Sequence, residues 1–301
     1  MKARLLVALS LVVSVQAEVR SWTSSDGRTI EAEFVRGDDK TVTIRKDTRD
    51  FTLSLDKVSE ADREYVIGKV SEMKMMKPDE LGGYARYATG QWVKGEENGL
   101  PFQIHAPASF TRDQPLPLVV FLHGIGERGT DNNKQLNALP KIFASGKNQA
   151  KRPCIVLAPQ CPPEKSWPEL SGEIIALTKS IAKNLPVDSR RIYIGGFSMG
   201  GYGVWAVLAA DPSMFAGAIP IAGGGNPENA RKLKDIPIWN FHGDRDKAVD
   251  VSESRKMIEA LKKAKANITY TEMPGEGHGI AGKVLNDEKV QEWLFGQKQA
   301  P

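Results

Sequence analysis

From about Tyr84 onward, apolar runs of strand length alternate with helical stretches, and no other feature restricts the architecture of this chain more. The runs are "PFQIHA", "LPLVVFLHG", "CIVLAPQ", "RIYIGGF", "AGAIPIAGG", "PIWNFHG" and "ITYTEMP". Between them the apolar residues recur at helical spacing. Ile174, Leu177, Ile181 and Leu185 share one face of "GEIIALTKSIAKNL", as do Ile258 and Leu261 in "SESRKMIEALKKAKA". Parallel strands need crossover connections, and helices on those crossovers cover both faces of the sheet. The pattern therefore predicts an α/β fold with a mostly parallel sheet.

Two segments of this region carry chemistry. "RIYIGGFSMGGYGVW" places Gly196-Phe197-Ser198-Met199-Gly200 where a strand passes into a helix. A nucleophile on so sharp a turn needs neighbours without side chains, because Cβ atoms there collide with adjacent backbone. The helix N-terminus behind Ser198 also supplies partial positive charge where an oxyanion forms. The second segment, "FLHGIGERGT", contains a literal G-x-G-x-x-G from Gly124 to Gly129. A dinucleotide fingerprint requires a helix opening at the third glycine and an acid at the end of the next strand. Here Gly129 leads into the polar "TDNNKQ", and the next strand ends in "LAPQCP" with no acid. Backbone N–H groups after the His123-Gly124 pair instead fit an oxyanion loop, with Ile125 and Met199 as the donors. No nucleotide cofactor and no metal are expected.

A serine attacks only when a base takes its proton. The base is one of four histidines, His105, His123, His242 and His278, and "HGDRDKAV" offers Asp244 and Asp246 as the acid that orients it.

"PLVVFLHGIGERGTDN", "APQCP", "GFSMGGYGVW", "FHGDRDKAV" and "GHG" together resemble the α/β-hydrolase superfamily over roughly Tyr84 to Gln297. Within it they are similar to exported esterases of the phospholipase/carboxylesterase and feruloyl-esterase groups, some relatives of which are described as predicted peptidases. The resemblance implies the α/β-hydrolase fold and a serine carboxylic-ester hydrolase working through an acyl-enzyme. The class order of nucleophile, acid and histidine then selects His278. The family spacing H-G-x-x-D-x-x-V, met by His242, Gly243, Asp246 and Val249, selects Asp246. By the same likeness Trp167 lines the acyl or alcohol site, whereas read on its own it serves equally well as core packing. The usual position of a lid holds only "GNPENARKLKD", too short for a cap domain, which suits soluble or polymer-linked esters. A serine peptidase with the same triad is the alternative, and a non-catalytic binding protein on a hydrolase scaffold is a third reading.

Residues 18–76 follow a different pattern. "VRSWTS", "TIEAEFV", "TVTIRK" and "DFTLSL", broken by Asp26-Gly27, Gly37-Asp38-Asp39 and Asp47-Thr48, predict a small all-β, SH3-like module. A helix follows from Ser59, with Asp62 three residues later, to about Met75. "WTSSDGRTIEAEFV" and "LSLDKVSEADREYV" resemble the small barrel homology domain first named in a fungal endocytic adaptor, which implies a module that binds a peptide or surface ligand, or simply packs. "KPDELGG", residues 77–83, reads as a linker to a catalytic domain at 84–301.

The first residues have a basic start at Lys2 and Arg4, an apolar stretch from Leu5 to Val15, and small residues before Glu18. This predicts a secretory signal at 1–17, hence a secreted or periplasmic protein without a membrane span after cleavage. The net charge of +4, two of it from that leader, gives no polyanion-binding face, and no nucleic-acid partner is expected. Cys154 and Cys161 bracket the strand-like "IVLAPQ". An extended segment holds their Cα atoms beyond disulfide reach, so two unpaired buried thiols are expected.

Overall fold

The computed structural model describes residues 18–300, so the leader expected at 1–17 lies outside the described residues. The chain divides into two compact units, with the boundary between Met75 and Met76.

The first unit is an antiparallel meander of β1 (Val19–Thr23), β2 (Thr29–Gly37), β3 (Thr41–Lys46) and β4 (Arg49–Ser54), followed by helix α1 (Glu60–Lys74). Period-two patterning buries Trp22, Ala32, Val42 and Ile44 on one face, with Val66 of α1 in the same cluster. Ser59 caps α1 by accepting from the Asp62 N–H. The Asp62 carboxylate is buried and takes hydrogen bonds from Arg20, Ser59 and the Thr23 N–H.

The second unit holds eight strands: β5 (Trp92–Glu97), β6 (Leu100–His105), β7 (Leu116–Leu122), β8 (Ile155–Pro159), β9 (Val187–Phe197), β10 (Gly217–Ile221), β11 (Ile238–Gly243) and β12 (Ile268–Met273). They lie in the order β12-β11-β10-β9-β7-β8-β6-β5. Neighbours from β12 to β8 are parallel, and β6 and β5 are added antiparallel at one edge. The connecting helices are α2 (Ala138–Ala144), α3 (Gly146–Lys151), α4 (Ser171–Asn184), α5 (Met199–Ala210), α6 (Ser252–Lys263), α7 (Ala281–Asn286) and α8 (Glu288–Gly296).

Strand β7 shows why its sequence is continuously apolar. Leu118, Val120 and Leu122 enter a core shared with α4, α5 and α6, while Val119 and Phe121 enter another shared with α2, α7 and α8. Both faces are covered, so every position from Leu118 to Leu122 is buried and apolar. Cys154 and Cys161 are free and buried, and burial pushes their thiols up to about 12 and about 11.

Two expectations are revised. Strand β5 was absent from the predicted set because it is an edge strand carrying Lys94, Glu96 and Glu97, charges of the kind that keep an edge from pairing with another chain. Residues 77–83 are not a linker. Lys77 caps, and residues 78–83 open, a 3₁₀ segment, Pro78–Tyr87, whose Leu81 and Tyr87 are buried in the larger unit's core. Residues 76–301 should therefore fold alone. A chain starting at residue 84 loses Leu81 and should melt lower, by about 2–5 kcal/mol if that loss equals a core Leu→Ala change. Thermal melting of the two fragments checks this, and equal midpoints would return residues 77–83 to linker status.

Candidate active site

Strand β7 has β8 on one side and β9 on the other, so the chain leaves the carboxyl ends of β7 and β9 toward opposite flanks. Such a divergence opens a crevice at the sheet edge. Ser198 stands there, between the last residue of β9 and the first of α5. Its φ of 58° and ψ of −117° lie in a region L-residues rarely adopt, and its N–H is held by Ile221 O at 2.9 Å. The flanking glycines are steric necessities. A Cβ on Gly196 would sit 2.4 Å from Gly200 O, and one on Gly200 would sit 1.9 Å from Leu122 O. The second distance also shows how closely the start of α5 rests on the end of β7.

His278 arrives on the loop after β12. That loop lies directly on Gly243, where a Cβ would be 2.4 Å from Glu276 O. His278 Nε2 is 2.9 Å from Ser198 Oγ, and its Nδ1 is 2.7 Å from Asp246 Oδ2. The Phe197 ring packs against the imidazole, with centroids 4.8 Å apart. The Asp246 side chain has no exposed surface. Its Oδ1 accepts from the Ala248 and Val249 N–H groups at 2.8 and 2.9 Å. Burial pushes this carboxyl up, but the hydrogen bonds from His278, Val249 and Ala248 outweigh it and hold it below the usual carboxylate range. Asp246 is thus an ionised acceptor for the His278 N–H. Asp244 is exposed and bonds elsewhere, accepting from the Gly275 N–H at 2.7 Å.

Ile125 and Met199 each occupy the first position of a helical turn, where the N–H has no intrahelical acceptor. Among the described residues, no other group takes up either N–H. The G-x-G-x-x-G stretch forms a single 3₁₀ turn, Ile125–Glu127, and the Gly129 N–H is tied to Cys161 O at 3.0 Å. This is not the helix a dinucleotide needs.

Trp167 corrects an expectation. It is fully buried, so it is not a wall of the substrate site. Its Nε1–H donates to His123 O at 2.9 Å, and the absence of a side chain at Gly203 leaves room for the ring. His123, also buried, accepts from the Cys161 N–H through Nε2 at 3.0 Å. Its Nδ1–H therefore donates to Gly124 O, 2.6 Å away. In a trans peptide the C=O and the following N–H point in opposite directions, so holding Gly124 C=O aims the Ile125 N–H away from His123. The sequence reading missed this pair of supports, whose one visible sign is the His-Gly dipeptide itself. His105 lies at the end of β6 against Trp92, and His242 is buried behind Asp246.

Among the described residues no cluster of His, Cys, Asp and Glu could hold a metal ion, and no helix is long and apolar enough to cross a membrane.

The model of the phospholipase/carboxylesterase family matches residues 163–294. A thermostable esterase of known structure is 35% identical with a TM-score of 0.66, the alignment covering 69% of this chain and 63% of that one. The feruloyl esterase module from Clostridium thermocellum has a TM-score of 0.56 at 16% identity, covering 70% and 90%. Acyl-protein thioesterase 1 from Neurospora crassa is 32% identical over 126 residues, 36% of this chain and 47% of its own. The chain spans less than half the length of the curated relatives it matches.

Proposed function

We propose that this member of the α/β-hydrolase superfamily is an exported serine esterase that cleaves carboxylic esters through an acyl-enzyme formed on Ser198. One observation carries the reading: the unbroken hydrogen-bonded chain from Ser198 through His278 to a buried, ionised Asp246 at the carboxyl edge of the sheet.

In this mechanism His278 Nε2 accepts the Ser198 proton as Oγ attacks the ester carbonyl carbon. Asp246 holds the Nδ1–H and stabilises the imidazolium. The tetrahedral oxyanion receives the Ile125 and Met199 N–H groups, and each donor of this kind is worth about 10²–10³ in rate. His278 then returns the proton to the departing alcohol. Water, activated by the same imidazole, attacks the acyl carbonyl and frees Ser198.

Between β10 and β11 the only helical element is a 3₁₀ turn, Pro227–Arg231, so no cap domain is inserted there. An uncapped cleft suits soluble or polymer-linked esters. Ile125, 60% exposed and itself one of the two oxyanion donors, supplies the apolar contact first expected of Trp167. The N-terminal module is read as an attachment device for a peptide or surface ligand, and residues 1–17 as the export signal.

A panel of acetyl, butyryl, feruloyl and long-chain esters, run beside peptide amides, tests the assignment. Turnover of the soluble esters with no peptide cleavage is expected. Peptide cleavage without ester turnover would replace the esterase reading with the peptidase one.

A further inference from the structure

Two buried polar side chains have no part in the steps above. His242, at the end of β11, and Ser254, in the first turn of α6, are both 0% exposed. Burying an imidazole and a hydroxyl is unfavourable unless each finds partners, so their hydrogen bonds define what they do.

His242 Nε2 lies 2.9 Å from Val249 O and 3.3 Å from Asp246 Oδ2. A carbonyl and an ionised carboxylate can only accept, so Nε2 carries the hydrogen. His242 Nδ1 lies 2.7 Å from Ser254 Oγ, which is itself 3.1 Å from Gly223 O. A neutral ring accepts at Nδ1 from the Ser254 hydroxyl. A charged ring donates to that oxygen while the hydroxyl turns to Gly223. In both cases the Nε2–H is hydrogen-bonded to Val249 O, with Asp246 Oδ2 beside the same nitrogen.

Asp246 therefore stands between two serine–histidine pairs that meet at one carboxylate oxygen. Ser198 and His278 reach it from the accessible side, and Ser254 and His242 from the buried side. We infer that His242, seated on Ser254, is a positioning residue for Asp246. The two backbone N–H groups fix Oδ1. The His242 Nε2–H is hydrogen-bonded to Val249 O, which pins the turn whose N–H groups hold Oδ1, and the same nitrogen backs Oδ2 at 3.3 Å, keeping the carboxylate in line with His278 Nδ1. The His242 side chain touches no substrate and accepts no proton in the reaction. It acts through Asp246, and the inference rests on the esterase reading of that site.

Two amides separate the contacts of the ring. A Gln side chain reaches the place of the imidazole Nε2 and can donate to Val249 O and Asp246. An Asn side chain reaches only the place of Nδ1. In the full chain acting on a soluble ester, His242→Asn should lower kcat by about 10²-fold, the effect of misplacing a catalytic group by an ångström, with KM unchanged. His242→Gln should recover most of that rate. Ser254→Ala should lower kcat by a smaller factor, again without moving KM. Thermal melting separates misfolding from mispositioning, and if His242→Asn does not fold, Ser254→Ala carries the test. A folded His242→Asn or Ser254→Ala enzyme with unaltered kcat overturns the inference. So does a folded His242→Gln enzyme no faster than His242→Asn. If the unsubstituted chain turns over no ester, the esterase reading itself has failed.

Discussion

Asp246→Asn should lower kcat by about 10⁴-fold while the protein stays folded. The size of the effect follows from which way the new amide must face. Oδ1 of Asp246 accepts from two backbone N–H groups, so the carbonyl oxygen of an asparagine is drawn to that side. Its NH₂ is then turned toward His278 Nδ1, in the place of an oxygen now 2.7 Å away. Nδ1 must become the acceptor, the ring proton moves to Nε2, and Nε2 can no longer take a proton from Ser198. The same NH₂ also meets the His242 Nε2–H donor to donor. Asp244→Asn is the paired control. Asp244 is exposed, and an asparagine oxygen can still accept from the Gly275 N–H, so turnover should be unchanged. Steady-state kinetics of the two purified variants decide the matter, and a reversal of their order would reassign the acid to Asp244.

How much of this was legible in the sequence differs from residue to residue, for physical reasons. The central strands announce themselves because both faces are buried, which leaves Leu118 to Leu122 no polar position. β5 hides because an edge strand is free to carry charge. Its one sign is Asn98-Gly99, both at positive φ, in the turn that pairs it with β6. Ser198 was legible because close backbone approach forbids side chains at Gly196 and Gly200, and that prohibition is written into the composition. His278 and Asp246 were reached through class order and motif spacing. Nothing local to either residue says that a loop after β12 will meet a loop after β11.

Trp167 was left open between a wall of the substrate site and core packing for a different reason. It opens a 3₁₀ turn, where no long period fixes the side-chain direction. The space it fills is made by Gly203, on another element. His242 had no signal beyond its place in the H-G-x-x-D spacing, since a single buried histidine in an apolar strand leaves no periodic trace. The G-x-G-x-x-G match misled in the opposite direction. Only the absence of a following helix and acid separated it from a nucleotide loop.

Ser198→Ala should reduce kcat by about 10⁶-fold, because the nucleophile, base and acid act as one unit. The substitution removes a single oxygen at a position 8% exposed and leaves the backbone of the turn in place, so binding of the ester should persist. The loss belongs to kcat rather than KM. A fall in kcat with a raised KM and a lowered melting temperature would instead mean that the turn had collapsed.

The claim beneath all of this is that Ser198 Oγ is an activated nucleophile. It is tested most directly by exposing the full chain to a fluorophosphonate and mapping the adduct by peptide mass. The account predicts one phosphonyl group per chain, on Ser198, with loss of ester turnover in step with labelling and no label on Ser198→Ala. An unlabelled Ser198 in a chain that still hydrolyses esters, or an adduct on another residue that abolishes turnover, would contradict it.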